Sequence, residues 1–274
     1  MPTRYEQLKI AAEWLRDADG ILITAGAGMG VDSGLPDFRG AHGFWNAYPA
    51  LKTEGISFQD IANGEAFRRN PIRAWGFYGH RLNLYRRTVP HEGFDILHRW
   101  ASEKEHGAFV FTSNVDGHFQ KADFAENRIQ ECHGSIHFLQ CSRACSHDVW
   151  SADDFHPEVN EEQCFLTSPL PTCPKCGSVA RPNILMFDDW DWIETRAKRQ
   201  RMRFEAWLLS VERMVVIEFG AGTAIPTVRN MSERAGAPVI RINPNAYGID
   251  PKKGIGIGCG ALETIAALAA GANL

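Results

Sequence analysis

Two close pairs of cysteines, Cys141-x-x-x-Cys145 and Cys173-x-x-Cys176, stand with 27 residues between them. Four thiolates in two short knuckles match a closed tetrahedral zinc site, and Pro174 and Gly177 supply turn chemistry for the second knuckle. His147 and His156 lie between the pairs and could replace a ligand; because four cysteines already complete the site, both are expected on the surface. A closed site has no position for substrate, so such a metal holds the fold and does no chemistry. A second constellation has the opposite character. Gly26-Ala27-Gly28 follows the run Ile21-Leu22-Ile23-Thr24, and a glycine turn after a strand lets backbone N–H groups close in on a pyrophosphate. Residues 108–111 read as a second strand that runs into Thr112-Ser113-Asn114-Val115-Asp116-Gly117. Polar side chains at the carboxyl end of a strand are where open α/β sheets take ligands. His133 follows, eight residues before Cys141, and an imidazole of unperturbed pKa about 6.5 can take a proton near neutrality.

The elements that must position these groups are partly readable. A dehydrogenase-type turn wants Gly or Ala three positions after Gly28, where Val31 stands, and a ribose-binding acid about 20 residues further on. Here Ser33-Gly34-Leu35-Pro36-Asp37-Phe38-Arg39 follows instead, and Pro36 interrupts any long helix. Leu8, Ala11, Ala12 and Leu15 share one face of an N-terminal amphipathic helix that lacks the apolar stretch of a signal peptide. A helix beginning near Pro71 carries Tyr78 and Arg81, three apart and hence on one face. Residues 213–217 read as a buried strand ending at a second glycine turn, Gly220-Ala221-Gly222, and residues 239–243 as another strand. The charge run at 195–203 belongs to a helix continuing through Phe204, Trp207 and Leu208, with its charges expected in solvent. Residues 261–270 suit a closing helix packed on the sheet.

Length and composition set the bounds. A chain of 274 residues suits one large domain or a domain with a small insert, and 44% apolar with 23% charged residues is ordinary for a globular protein. The net charge of −4 argues against a dedicated nucleic-acid binder. No apolar run approaches the roughly 18 residues of a membrane span. Seven cysteines without an export signal favour reduced thiols or metal ligands over disulfides, and a cytoplasmic location. Cys132, Cys164 and Cys259 lie outside both pairs and are expected in the core or lining a site.

Residues 21–39 resemble the NAD signature of the sirtuins, the NAD-dependent protein deacylases, and the four-cysteine module resembles the zinc insert of that family's large domain. The resemblance implies an α/β fold: a Rossmann-like, mainly parallel sheet with helices on both faces (1–39, 93–135 and 183–274). A small domain would combine a helical insert (40–92) and the zinc-binding module (136–182). NAD, a consumed co-substrate, would meet an acylated lysine of a protein substrate in the cleft between the two. Gly26, Ala27, Gly28, Asp37, Phe38 and Arg39 would position the diphosphate and nicotinamide ribose. Ser113 and Asn114 would face that ribose, while Val115 and Asp116 hold the carboxamide. Gly220, Gly222, Asn243 and Cys259 would line the adenosine end. His133 would be the general base, with Asn114 and Asp116 as its catalytic companions, and Zn2+ would sit on Cys141, Cys145, Cys173 and Cys176. The products implied are free lysine, nicotinamide and O-acyl-ADP-ribose. Residues 181–187, ending at Phe187, resemble the strand that pairs with the substrate backbone, a β-augmentation. A Tyr-x-x-Arg pair such as Tyr78 and Arg81 is linked in sirtuins to removal of succinyl, malonyl or glutaryl groups, a guanidinium binding a carboxylate in bidentate fashion.

Four positions depart from the common pattern: Gly30 for serine, Ser113 for glutamine, Gly220-Ala221-Gly222 for Gly-Thr-Ser, and Asp188-Asp189 for Gly-Glu. The first three remove hydrogen-bonding groups, each worth about 1 kcal/mol net; the fourth is expected to add negative charge at the rim of the acyl-lysine groove. They keep alternatives open: an NAD glycohydrolase or protein ADP-ribosyltransferase on the same scaffold, or a silent NAD or ADP-ribose sensor. The oligomeric state is not readable from the chain.

Overall fold

The computed structural model describes residues 3–36 and 41–271. Its main sheet has six strands, all parallel where paired, in the order β11-β10-β9-β1-β2-β3. These are β1 (Gly20–Ala25), β2 (Ala108–Thr112), β3 (Ile129–Glu131), β9 (Met214–Phe219), β10 (Val239–Ile242) and β11 (Gly254–Ile257). β1 is buried along its whole length, as a parallel strand covered on both faces must be. Alternate side chains feed two cores. Ile21 and Ile23 join Leu15 of α1 (Arg4–Asp17), Phe94 and Trp100 of α7 (Gly93–Ser102) and Ile265 of α11 (Ala261–Gly271). Leu22 joins Phe204 and Trp207 of α9 (Thr195–Leu208) and Val228 of α10 (Thr227–Arg234). α1 starts where Thr3 and Glu6 form a reciprocal capping box. The buried Arg241 of β10 and Glu218 of β9 face each other in register and pair at 2.6 and 3.0 Å.

The second lobe has its own core. Short helices α2 (Ala41–Ala47), α3 (Pro49–Thr53), α4 (Phe58–Ile61) and α5 (Ala66–Arg69) lead into the long α6 (Pro71–Arg87), which Asn70 caps through the backbone N–H of Arg73. Phe44, Phe67, Trp75 and Phe77 pack there with Ile136, Leu139 and Ile184 of an antiparallel sheet, order β5-β4-β8. That sheet comprises β4 (Gly134–Cys141), β5 (Val149–Ser151) and β8 (Ala180–Ile184), and a small ribbon of β6 (Val159–Asn160) and β7 (Phe165–Leu166) lies against α6. Gly76 of α6 has to be glycine, because a Cβ there would lie 2.1 Å from the carbonyl oxygen of Cys164. α8 (His118–Lys121) is a single turn between β2 and β3. Among the described residues no helix is long and apolar enough to cross a membrane.

The charge run of α9 is less solvated than expected. Arg196 pairs with Glu126 and with the buried Glu131 while its guanidinium lies 4.1 Å from the centre of the Phe138 ring. One cation of the run therefore ties α9 to the sheet.

Candidate active site

The strand order reverses at β1, which has β2 on one side and β9 on the other. The crevice beyond the carboxyl ends of strands at such a switch point is where an open α/β sheet binds ligands. Both glycine turns lie there and touch backbone to backbone. Gly26 N–H donates to the Phe219 carbonyl at 2.9 Å, and Gly28 N–H to the Gly220 carbonyl at 3.1 Å. A Cβ on Gly220, whose φ is +54°, would lie 2.3 Å from the Gly28 Cα, so glycine is required by both space and backbone angle. Gly222 faces open space.

A cleft of about 740 Å3 runs along these turns, lined by Ala27, Gly28, Gly220, Gly222 and Asn243 on the sheet side and by Trp45 and Phe58 on the other. Asn243 also holds the second turn, its Nδ2 donating to the Ala221 carbonyl at 3.2 Å. Ala27, Phe58, Phe187 and Ile225 are shared with an inner cavity of about 270 Å3 that contains Ser113, Asn114, Val115, Asp116, His133, Tyr78 and Arg81. The structure thus brings the glycine turns, the polar end of β2, the histidine and the Tyr-x-x-Arg pair to two adjoining cavities that share part of their lining. Gly26 stands behind the lining, with its backbone bonds to Phe219 and Asn114. Cys259 is not brought to either cavity: its buried thiol accepts from Arg4 at 3.4 Å. Asp37, Phe38 and Arg39 lie outside the described residues.

The inner groups are fixed by short-range bonds. Asn114 Nδ2 donates to the Gly26 carbonyl at 2.9 Å and Asn114 N–H to Thr112 Oγ1 at 3.0 Å, so this side chain joins the end of β2 to the first turn. Asp116 Oδ1 accepts the N–H of His118 at 3.0 Å, and its backbone carbonyl lies 2.8 Å from His137 Nε2. His133 precedes β4, and its carbonyl accepts the N–H of Leu185 at 2.9 Å, tying it to the continuation of β8. Behind Asp116, His118 is buried with both ring nitrogens lacking hydrogen-bond partners among the described residues. Burial holds its pKa below the ordinary histidine value despite the nearby Asp116 carboxylate.

Tyr78 and Arg81 are both buried in the wall of the inner cavity. Tyr85, one helical turn beyond Arg81, completes that wall: its hydroxyl accepts from Arg81 Nε at 3.1 Å and Nη2 at 2.6 Å. Burial opposes the guanidinium charge, yet the phenolic groups of Tyr85, Tyr78 and Tyr48 leave its pKa above the usual arginine value. Burial also raises the Tyr78 pKa, so its phenol stays protonated. The i, i+3, i+7 spacing of Tyr78, Arg81 and Tyr85 was available in the sequence and could have identified the third member. Phe58, Ala62 and Met186 also line the cavity, and nothing in their types singled them out.

The four zinc-type cysteines converge, with all sulfurs within 4.8 Å of one another. Cys141 Sγ lies 3.6 Å from Cys176 Sγ, and Cys145 Sγ lies 3.6 Å from Cys173 Sγ. Zinc–sulfur bonds of about 2.3 Å in a tetrahedron put sulfurs about 3.8 Å apart, so the set fits Zn2+. His147 and His156 are exposed, as expected.

One expectation at the rim is corrected. Asp188 is exposed, but Asp189 turns inward and pairs with Arg181 through two 2.8 Å contacts, both side chains being 1% exposed. A buried carboxylate in that setting needs a cation, which Arg181 supplies, so only Asp188 adds charge to the surface.

An open parallel sheet with glycine turns at its switch point, facing a helical lobe with a four-cysteine cluster, defines a two-lobed α/β ligand-binding protein. The Sir2 family model matches residues 26–206. The NAD-dependent protein deacylase of Aquifex aeolicus is 30% identical over 231 residues, covering 82% of this chain and 83% of that protein. That of Thermococcus kodakarensis is 30% identical over 248 residues, covering 88% and 86%. This chain belongs to the Sir2 family. Among solved structures, a Sir2 homologue–NAD complex superposes with a TM-score of 0.70 at 21% identity, over 96% of this chain and 93% of that one. Sir2Tm bound to a propionylated peptide gives 0.65 at 19%, over 97% and 98%.

Proposed function

We propose that this protein is an NAD-dependent protein lysine deacylase that releases nicotinamide and O-acyl-ADP-ribose. The reading is carried by two adjoining cavities with a shared lining, one along the two glycine turns and one holding Asn114, Asp116 and His133. The names of its relatives from Aquifex aeolicus and Thermococcus kodakarensis support it. Residues 1–39, 93–135 and 183–274 serve as the NAD-binding domain, 40–92 as the helical insert and 136–182 as the zinc-binding module. The zinc ligands must be reduced, which suits a cytoplasmic enzyme.

The donor set and the clefts fit NAD: glycine backbone along the outer cleft, polar side chains at its inner end. Bound there, the dinucleotide supplies an anomeric carbon whose nicotinamide can be displaced by the acyl oxygen of the modified lysine. Val115 and Asp116 hold the carboxamide end, and Asn114, fixed to Gly26, orients the ribose. Ser113, Gly28, Gly220, Gly222 and Asn243 line the rest of the path. His133 takes the proton from a ribose hydroxyl, and its backbone bond to Leu185 keeps the base in register with the peptide-binding segment. Holding both reactants in one channel supplies the proximity that the displacement needs. Phe187 lines both cavities.

For the acyl chain, Tyr78 and Arg81 support succinyl and malonyl groups alongside acetyl. A protonated phenol and a guanidinium at the inner wall suit a terminal carboxylate. The test is to incubate the protein with NAD and matched acetyl-lysine or succinyl-lysine peptides, following peptide mass and nicotinamide. Peptide-dependent nicotinamide release that disappears in His133→Ala is expected. Release that ignores both peptides would make the protein a glycohydrolase instead.

A further inference from the structure

Trp190 is 96% exposed, the most exposed large hydrophobic side chain among the described residues. Water gains nothing from an indole there, yet the turn that carries it is held firmly. On one side Asp189 is clamped to Arg181, and Phe187 N–H donates to the Ala62 carbonyl at 2.9 Å. On the other side Asp191 pairs with Arg68, and its carbonyl accepts from Gln140 Nε2 at 2.8 Å. The indole is therefore displayed on a mount whose ordering cost is already met, a condition that favours binding. The turn directly follows Leu185, Met186 and Phe187, which line the mouth of the inner cavity, where Leu185 and Ile225 are themselves exposed large apolar side chains. Asp188, next to the indole but one, has an exposed side chain and forms no ion pair among the described residues.

We propose that Trp190 and Asp188 form a recognition surface for a basic side chain on the protein substrate, close in sequence to the acylated lysine. An indole face attracts a guanidinium or ammonium group, a neighbouring carboxylate adds a directional partner, and the surface continues from the cavity mouth where the backbone of the substrate would lie. The proposal rests on the deacylase reading, and names the substrates it selects: acyl-lysine segments with an arginine or lysine nearby.

The experiment uses acetyl- and succinyl-lysine decapeptides of otherwise neutral sequence, with one arginine, alanine or glutamate moved through the two positions on either side of the modified lysine. Binding is read by anisotropy of a labelled peptide and turnover by mass spectrometry, for the wild type, Trp190→Ala, Trp190→Phe and Asp188→Asn. Leu209→Ala serves as a control at another highly exposed apolar position. At one or more positions arginine is expected to lower Kd and KM by about three- to fivefold relative to alanine, and glutamate to raise them. Trp190→Ala and Asp188→Asn should each erase most of that preference, Trp190→Phe should retain part of it, and Leu209→Ala should leave it intact. Equal binding of the arginine and alanine peptides by the wild type overturns the proposal. So does a preference that survives Trp190→Ala, or a Trp190-dependent dimer whose dissociation abolishes the preference. If the peptides bind with this preference but are not deacylated, the deacylase reading fails and the recognition surface stands.

Discussion

Replacing Asp189 by alanine should destabilise the protein far more than a loop substitution ordinarily does. Asp189 meets Arg181 through two 2.8 Å contacts with each side chain only 1% exposed. At an effective dielectric of about 20, charges this close attract by roughly 6 kcal/mol. Most of that gain is offset by the desolvation of two ions, so the intact pair contributes little net stability. Removing one partner is different, because it leaves Arg181 buried and uncompensated at a cost of about 3–5 kcal/mol. Asp189 Oδ2 also accepts the N–H of Met186 at 3.3 Å, so the segment lining the cavity should loosen and the peptide KM rise. Urea unfolding followed by tryptophan fluorescence measures the first effect. Asp189→Ala and Arg181→Met should each lose about 3–5 kcal/mol, and the double variant should lose clearly less than the sum. Losses below about 1 kcal/mol, or strict additivity, would refute the reasoning.

The remaining expectations concern metal, pH and the glycine turns. Chelating the zinc, or Cys173→Ser, should release the metal and cost the module its order, read as zinc content together with loss of near-ultraviolet circular dichroism; full retention of the signal in metal-free protein would argue against a structural role. Burial holds the pKa values of His80, His91 and His118 below the ordinary histidine value. Below about pH 6.5 the unfolded chain therefore binds protons that the folded one resists, and stability should fall with pH by up to about 1.4 kcal/mol per unit for each. His118→Leu should flatten this slope between pH 7 and 5 and raise the midpoint of thermal unfolding at pH 7, since its ring nitrogens are buried without partners. An unchanged slope would remove His118 from the account. Gly220→Ala should force the two turns apart and raise the KM for NAD at least tenfold, with the peptide KM much less affected; equal NAD kinetics would mean that the contact of the turns does not shape the cleft.

Much of this was legible in the chain because it depends on local chemistry. The zinc knuckles are four cysteines at short spacing, and the structure needed only to bring the pairs together. Ile21, Leu22 and Ile23 announce a buried strand, and the turn that follows is glycine because another backbone lies against it. Long-range partnerships were not legible. Nothing around Asp189 says that Arg181 will meet it, so a charge assigned to the rim proved to be internal. Arg196 looked like one more solvated cation until Glu131 and the ring of Phe138 came to it from elsewhere. Cys259 sits in a glycine-rich stretch that reads as a nucleotide contact, and the chain gave no sign that the packing of α1 against α11 would also bring Arg4 to its thiol. Tyr85 is the opposite case: helical spacing alone places it beside Arg81.

The two metal-side and cleft-side features are mechanically connected, which gives the zinc a role in positioning without any in chemistry. β4 begins one residue after His133 and ends at Cys141, and β8 runs antiparallel to it, from Ala180 beside Cys141 to Ile184 beside Gly134. A bulge between Ser135 and Leu139 shortens β4, so that four steps of β8, at about 3.4 Å each, span the same two ends; the cysteine end of the pair therefore lies roughly 14 Å along the sheet from the end next to the histidine. Zinc thus clamps the far end of the same strand pair whose near end carries His133 and releases Leu185 toward the cavity. β8 is an edge of its sheet, so its partner β4 alone holds its register there. If the clamp is lost, the pair can fray from the cysteine end while the six-stranded sheet and its glycine turns persist. Partial metal loss should therefore raise the peptide KM before it weakens NAD binding, a sequence that a general loss of folding would not produce.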